Sequence, residues 1–242
     1  MGAKDPFCTD RVLIVAAHPD DEVIGGGGQL ARLRERLEIL EVTDGSPDGN
    51  PDYAWTRRQE LDRARALAGI PMHRCHRLGY RDQDSSFHLA ELARRLAEFR
   101  PDIVLTHPYE GGHPDHDSCA FAVAQAFGET CPIYEFTSYH AGPLGIVTGK
   151  FLGDSAGEVR FELTDEQKRS KQRMFECFTS QRHVLADFRI DQESFRPAPQ
   201  YDFTQPPHPG QLHYEQFNWG VTGHRWRELA AQAVQFSGIR YP

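Results

Sequence analysis

The sequence predicts an α/β fold, a doubly wound, Rossmann-like and mostly parallel sheet with helices on both faces. Three observations carry this: apolar runs that are continuous rather than alternating, helical patterning between them, and a length of 242 residues that suits one sizeable domain. Arg11–Ala17 (RVLIVAA) is short and rich in valine and isoleucine, as a parallel strand covered on both faces requires. His18–Glu22 reads as a loop. Gly25–Gly28 lead into Gln29–Leu37, where Leu30, Leu33 and Leu37 recur at the spacing of an amphipathic helix. Leu37–Thr43 is the next strand, Asp44–Asp52 is rich in turn formers, and Tyr53–Ala68 is a helix stopped by Gly69 and Pro71. Alternation continues with a strand near Arg74–Leu78, a helix over Leu89–Phe99 and a strand at Asp102–Thr106. A helix near Asp115–Phe127 and a strand near Ile133–Ser138 follow, each parallel crossover needing a covering helix.

The C-terminal third breaks the rhythm. Thr164 opens a helix to about Phe178, and Gly223–Phe236 reads as a terminal helix. Between them Ser180–Val221 holds five prolines yet also Phe188, Phe195, Tyr201, Phe203, Tyr214, Phe217 and Trp219. So many aromatics bury enough surface to offset the entropy of ordering, so the segment is expected to be an ordered arm packed on the domain and walling its pocket. The expected organisation is a single catalytic domain over 1–242, with a core of about 11–179, the arm at 180–221 and the helix at 223–236.

With 35 acidic and 27 basic residues the formal charge is −8, which excludes the broad positive surface that nucleic acid or an anionic membrane needs. The five cysteines are odd in number, scattered and without a C-x-x-C pair, which fits a reducing cytoplasm better than a disulfide framework or a thiolate zinc cluster. No apolar run approaches the roughly 20 residues that cross a bilayer, and Met1–Asp10 has no apolar signal core. Met1–Pro6 is set aside from the fold reading. Homo-oligomerisation is left open.

Two His/Asp clusters fall at strand ends: Ala17-His18-Pro19-Asp20-Asp21-Glu22 and His113-Pro114-Asp115-His116. In a doubly wound sheet, ligands gather outside the carboxyl ends of the strands where the winding reverses, here between the first and fourth strands. A lone histidine is most often a cap or a satisfied polar group; two dense clusters at one crevice are not. His18 and Asp21 can point an imidazole and a carboxylate at one ion while His116 completes the set. Two imidazoles and a carboxylate leave a position open for water, as catalytic zinc does.

On these residues the chain resembles the PIG-L/LmbE-like family of zinc N-deacetylases, whose AHPDDE and HPDH hallmarks stand unaltered at 17–22 and 113–116. The resemblance covers most of Arg11–Ala126 and implies one zinc per chain on His18, Asp21 and His116, with Fe(II) or another divalent ion as the alternative. It also implies Asp20 as general base and an N-acetylated small molecule, an amino sugar or glycoconjugate, as substrate. The chemistry is self-consistent, since a carboxylate beside a metal-activated water can take its proton. His113 is expected, as a protonated imidazole, to stabilise the oxyanion and protonate the leaving amine, with Asp115 either orienting it or capping the following helix. Arg57 resembles the family's substrate-reaching arginine or belongs to a solvated ion-pair face, and Asp82 resembles its sugar-hydroxyl ligand or serves a turn. Glu22 is expected to brace the loop. Where members of mycothiol-type activity place a tyrosine two residues before the HPDH histidine, this chain has Gly111, and Tyr109, Tyr139 and His140 are the candidate substitutes.

Gly25–Gly28 after a strand invites a dinucleotide loop, but Leu30 stands where G-x-G-x-x-G needs its last glycine, so close packing explains them better. A two-histidine, one-carboxylate set also serves non-haem Fe(II) oxygenases, whose usual scaffold is a β-barrel. A catalytically inactive sugar- or metal-binding module would need neither Asp20 nor His113.

Overall fold

A computed structural model of the chain describes residues 5–237, with the side chains of 236 and 237 left aside. Its elements in order are β1 (Val12–Ala16), α1 (Asp21–Leu33), β2 (Leu37–Thr43), α2 (Pro51–Ala68), β3 (Cys75–Tyr80), α3 (Leu89–Leu96), β4 (Ile103–Thr106), α4 (Pro114–Phe127) and β5 (Ile133–Phe136). Then follow β6 (Tyr139–Gly142), β7 (Gly145–Thr148), β8 (Val159–Glu162), α5 (Asp165–Phe175), α6 (Arg182–Leu185), β9 (Gln192–Pro197) and α7 (Gly223–Ser237). Seven strands form one sheet in the order β3-β2-β1-β4-β5-β9-β8, parallel through β5 and antiparallel at β9 and β8. The doubly wound sheet expected from sequence is there, and the winding reverses between β1 and β4. This α/β sheet is not the β-barrel of the oxygenase reading.

Period-two alternation explains why both sheet faces are apolar. Val12 and Ile14 of β1 join Ile39, Leu30, Leu33 and Leu61 on the face covered by α1 and α2, while Leu13 and Val15 join Leu40, Val42, Leu92, Leu96 and Val123 beneath α3 and α4. A third cluster seats Trp226 and Ala230 of α7 against Phe121 of α4, with Tyr109 and Phe203. No helix among the described residues is long and apolar enough to cross a membrane.

Four expectations change. Helix α1 begins at Asp21, so His18–Glu22 is not all loop, and the glycines lie inside the helix, with a kink at Gly26 (φ −143°, ψ 19°). Close approach is the reason: a methyl on Gly25 would overlap the Phe136 ring, and one on Gly28 would lie 2.6 Å from Leu163. Leu37 belongs to β2 rather than to the preceding helix. The arm is not merely packed on the domain, because its β9 extends the sheet beside β5, and β8 and the β6–β7 hairpin were also unforeseen. Of the start that was set aside, residues 1–4 lie outside the described residues. Asp5 accepts the Phe7 N–H at 2.9 Å and pairs with Arg32, and Phe7 is buried against Phe195.

Buried ion pairs fasten α1 to its surroundings. Arg65 of α2 donates to Glu22 and to Glu41 of β2, both at 2.7 Å, and Arg77 of β3 donates to Glu41 at 2.9 Å. Burial pushes the Glu22 carboxyl up to about 7 despite Arg65, Glu41 adding like charge. Glu22 is thus a brace. On the other side Lys171 of α5 donates to Glu193 of β9 and to the Ile24 carbonyl, each at 2.8 Å, and Glu193 accepts the Gly28 N–H at 2.7 Å.

Candidate active site

The first cluster hangs from the end of β1. The Ala17 carbonyl accepts both the N–H and the hydroxyl of Thr43 on β2, at 2.9 and 2.8 Å. Asp21 accepts the His18 N–H at 2.7 Å, and the Asp20 N–H turns back to the His18 carbonyl at 2.9 Å. The second cluster hangs from β4 through a loop that Asp117 folds back by accepting the N–H groups of Glu110 (3.2 Å) and Gly111 (3.0 Å).

Two groups of side chains that could hold a metal ion result, sharing His18. In the first, His18 Nδ1 lies 3.2 Å from Asp21 Oδ2 and 3.2 Å from His116 Nε2, and His116 Nε2 lies 3.5 Å from Asp21 Oδ1. Ligand atoms held about 2.1 Å from one ion at tetrahedral angles sit ~3.4 Å apart, so this donor set fits a zinc-sized cation. The second group, His18, Asp82, His113 and Asp115, fits less well because Asp115 is already engaged. Its carboxylate accepts the Gln83 N–H at 2.6 Å, the Ser85 N–H at 3.1 Å and the Ser85 hydroxyl. His18 Nε2 lies 3.2 Å from Asp115 Oδ2, an arrangement in which a carboxylate orients a ligand histidine from behind.

Electrostatics agree with that division. Against the cost of burial, the carboxylates of Asp82, Asp115 and Asp21 hold the His18 imidazole well above its ordinary pKa, and His107 and His116 hold Asp21 well below the usual carboxylate range. A cation satisfies the same carboxylates by displacing the proton. Burial keeps His116 well below its ordinary value, as a neutral ligand requires.

Several expectations are corrected. His113, not Asp115, caps α4: its Nδ1 accepts the Asp115 N–H at 3.2 Å. Burial and the charge of His18 push His113 down to about 4 although Asp115 opposes them, which favours the neutral imidazole over the protonated one expected. Arg57 is 2% exposed and donates to Asp20 Oδ2 at 3.0 Å, so it lies on no solvated face. Burial and the neighbouring Asp21 raise the Asp20 carboxyl to about 6, with Arg57 and His18 limiting the rise. Asp82 Oδ1 stands 3.2 Å from His18 Nε2 and 3.6 Å from His113 Nε2, inside the cluster.

The Gly111 position is closed to a side chain, since φ is +71° and a methyl would lie 2.6 Å from Leu212. Of the candidate substitutes, Tyr139 reaches the site, its ring 5.2 Å from that of His116. Tyr109 donates to the Gln205 carbonyl within the third core cluster, and His140 pairs with Glu110 at 3.0 Å.

His107 was missed. It stacks on His116 at 3.9 Å, lies 3.3 Å from Asp21 and accepts the Ala17 N–H at 3.2 Å. Its place directly after Thr106, at a strand end of the reversal point, was the available signal. Ser138, 3.2 Å from His116 Nδ1, carried none, because only the fold brings it near, while Trp219, whose ring is 4.7 Å from that of His113, was expected only as one aromatic of the pocket-walling arm.

Residues 13–127 match the PIG-L family, described as GlcNAc-PI de-N-acetylase. The chain is 33% identical over 149 residues to the Bacillus anthracis protein named "Probable N-acetyl-alpha-D-glucosaminyl L-malate deacetylase 2", covering 54% of this chain and 65% of that one. It is 32% identical over 140 residues to the diacetylchitobiose deacetylase of Thermococcus kodakarensis, covering 51% of each. The matched stretch thus spans less than two thirds of these relatives. A crystal structure of a deacetylase of the teicoplanin biosynthesis pathway, in a deacetylase-bog complex, superposes with a TM-score of 0.60 at 18% identity, covering 79% of this chain and 99% of that one, a likeness of fold.

Proposed function

From the match of residues 13–127 to the PIG-L family we propose that the chain is a zinc-dependent hydrolase removing an N-acyl, chiefly N-acetyl, group from an amino sugar or a related conjugate. The observation that carries the reading is the convergence of His18, Asp21 and His116 beside a carboxylate, Asp20, that is free of the metal cluster and held by Arg57. Relatives named as deacetylases of N-acetylated sugar conjugates support the substrate class. One zinc per chain on those three residues would polarise the acyl carbonyl and lower the pKa of a bound water to about 7.

The chain's own groups do the rest. Arg57 fixes one oxygen of Asp20, leaving the other to accept a proton from the attacking water and return it to the departing nitrogen. This balances the protons of amide hydrolysis without a charged His113. Neutral His113 donates its Nε2–H to the oxyanion, its ring held by the Asp115 N–H on Nδ1. Asp115 and Asp82 keep His18 oriented, and Asp82 remains open to a substrate hydroxyl. The five cysteines, all free, fit a reducing compartment.

Metal analysis of purified protein, with free amine read from a panel of N-acetyl amino sugars and conjugates, tests the assignment. About one zinc per chain with amine release is expected; iron with oxygen consumption would replace the reading. His116→Ala should lose the metal. Asp20→Asn should keep it and lose about 10²–10⁴-fold in turnover. Zinc-loaded Asp20→Asn enzyme with wild-type turnover would sink the mechanism.

A further inference from the structure

We propose that Phe217 and Trp219 form a stacking wall at the mouth of this site that selects amides whose amine is carried on a ring with an apolar face, such as a pyranose, over open-chain amines. The inference rests on the amide-hydrolase reading and adds a specificity device to it.

Six aromatic side chains close a circuit. His116 to Tyr139 is 5.2 Å, Tyr139 to His213 5.6 Å and His213 to Phe217 5.2 Å between ring centroids. Phe217 to Trp219 is 4.6 Å, Trp219 to His113 4.7 Å and His113 back to His116 5.3 Å. All lie in the range over which aromatic rings attract. Two members belong to the metal and oxyanion machinery and three come from the arm. Phe217 and Trp219 are within 13° of parallel, so they present one stack rather than an interlocked edge.

Burial separates this stack from core packing. The arm's Tyr214 and Phe203 are 0% and 2% exposed, whereas Phe217 is 46% exposed. Yet the backbone carrying it is fixed. The His213 N–H donates to the Gly111 carbonyl at 2.8 Å, Leu212 fills the space over Gly111, and Glu215 accepts the N–H groups of Leu212 (3.2 Å) and Gly223 (2.8 Å). A large ring left half in water on a braced segment, beside a buried reactive cluster, is the geometry of a ligand wall. The ring C–H face of a sugar, or an aryl face, covers such a surface; an open-chain amine has no face to offer. Gly111 fits this: with no side chain there, Leu212 carries the arm close enough to bring Trp219 onto His113.

Zinc-loaded enzyme is assayed for amine release from N-acetylglucosamine, acetanilide and N-acetylethanolamine, with tryptophan emission followed as each is titrated. Wild-type enzyme should favour a cyclic amide by at least about tenfold in kcat/KM, sugar over anilide or the reverse naming the ring class. Phe217→Ala should raise KM for the preferred ring by about tenfold, a stacking loss of ordinary size, and leave the open-chain amide within about twofold. Phe217→Tyr should restore the ring preference, and emission quenching by the ring should disappear in Trp219→Phe. Equal handling of ring and open chain by wild type, or a Phe217→Ala effect equal on both, overturns the wall while amide hydrolysis stands. No amine from any compound, with Trp219-dependent quenching by a ring, overturns the hydrolase reading while the wall stands.

Discussion

Residues 12–136 and 139–237 share one sheet but are built by different rules. In the first, each strand is a run of apolar residues covered on both faces, and the family match ends within it, at residue 127. In the second, β9 is antiparallel and carries Glu193 and Arg196 buried among partners from other elements: Lys171 of α5 and the Gly28 N–H of α1 for the one, Glu135 of β5 at 2.8 Å for the other. The first region supplies all three candidate metal ligands and Asp20. The second supplies Tyr139, His213, Phe217 and Trp219 around them. The contrast teaches that the candidate metal ligands and Asp20 are gathered where two parallel strand ends meet, whereas the aromatic rings around them are brought by a segment held through buried charges of β9.

Breaking the fastening gives the largest expected effect on stability. Lys171→Ala leaves Glu193 buried without its cation and should cost about 3–5 kcal/mol in urea unfolding, whereas Lys171→Met with Glu193→Leu should recover much of it. A loss under about 1 kcal/mol would mean that the pair, with its bonds to the Ile24 carbonyl and the Gly28 N–H of α1, does little to hold the second region on the first. Next comes Gly25→Ala, whose methyl must displace the Phe136 ring where α1 crosses β5; about 1–3 kcal/mol is expected, with weakened zinc affinity because α1 opens at Asp21. Unchanged metal affinity would uncouple the glycine packing from the site.

The smallest effect sharpens the role of Glu135, which burial pushes up to about 7 while Arg196 and Tyr201 oppose the shift. A carboxyl raised above its unfolded value of 4.5 contributes stability that is complete below 4.5 and lost as pH rises through 7. Between pH 5 and 8 the wild type should therefore lose roughly 1–2 kcal/mol relative to Glu135→Gln. Parallel denaturation curves at both pH values, or a difference of opposite sign, would show the carboxylate to be fully paired in the fold.

Legibility followed the same line. Strand β2 stands at Leu37–Thr43 as expected, and β1, β4 and α4 fall within a residue of their expected bounds, because a strand apolar on both faces needs no partner to be recognised. β9 was hidden because QESFRP reads as polar until Lys171 and Glu135 are placed beside it, and pairing between residues 61 apart is invisible in a local window. Within the site, His18, Asp21 and His116 could be grouped because each lies next to a strand end. His107 could have been, Phe217 and Trp219 were legible only as members of an arm walling the pocket, and Ser138 was not legible at all.

By itself the sequence determined the doubly wound sheet, the reversal between β1 and β4, and the pair of His/Asp clusters held there. Hydrophobic period and chain direction suffice for these, since parallel strands must all present their carboxyl ends at one edge. Only the tertiary structure decided which atoms face which: that Asp115 serves His18, that His113 caps its own helix, that Arg57 holds Asp20, and that the arm sets an aromatic stack on His113. Those outcomes depend on burial and on distances of a few ångströms between groups up to 106 positions apart in the chain, which no spacing rule along the backbone encodes.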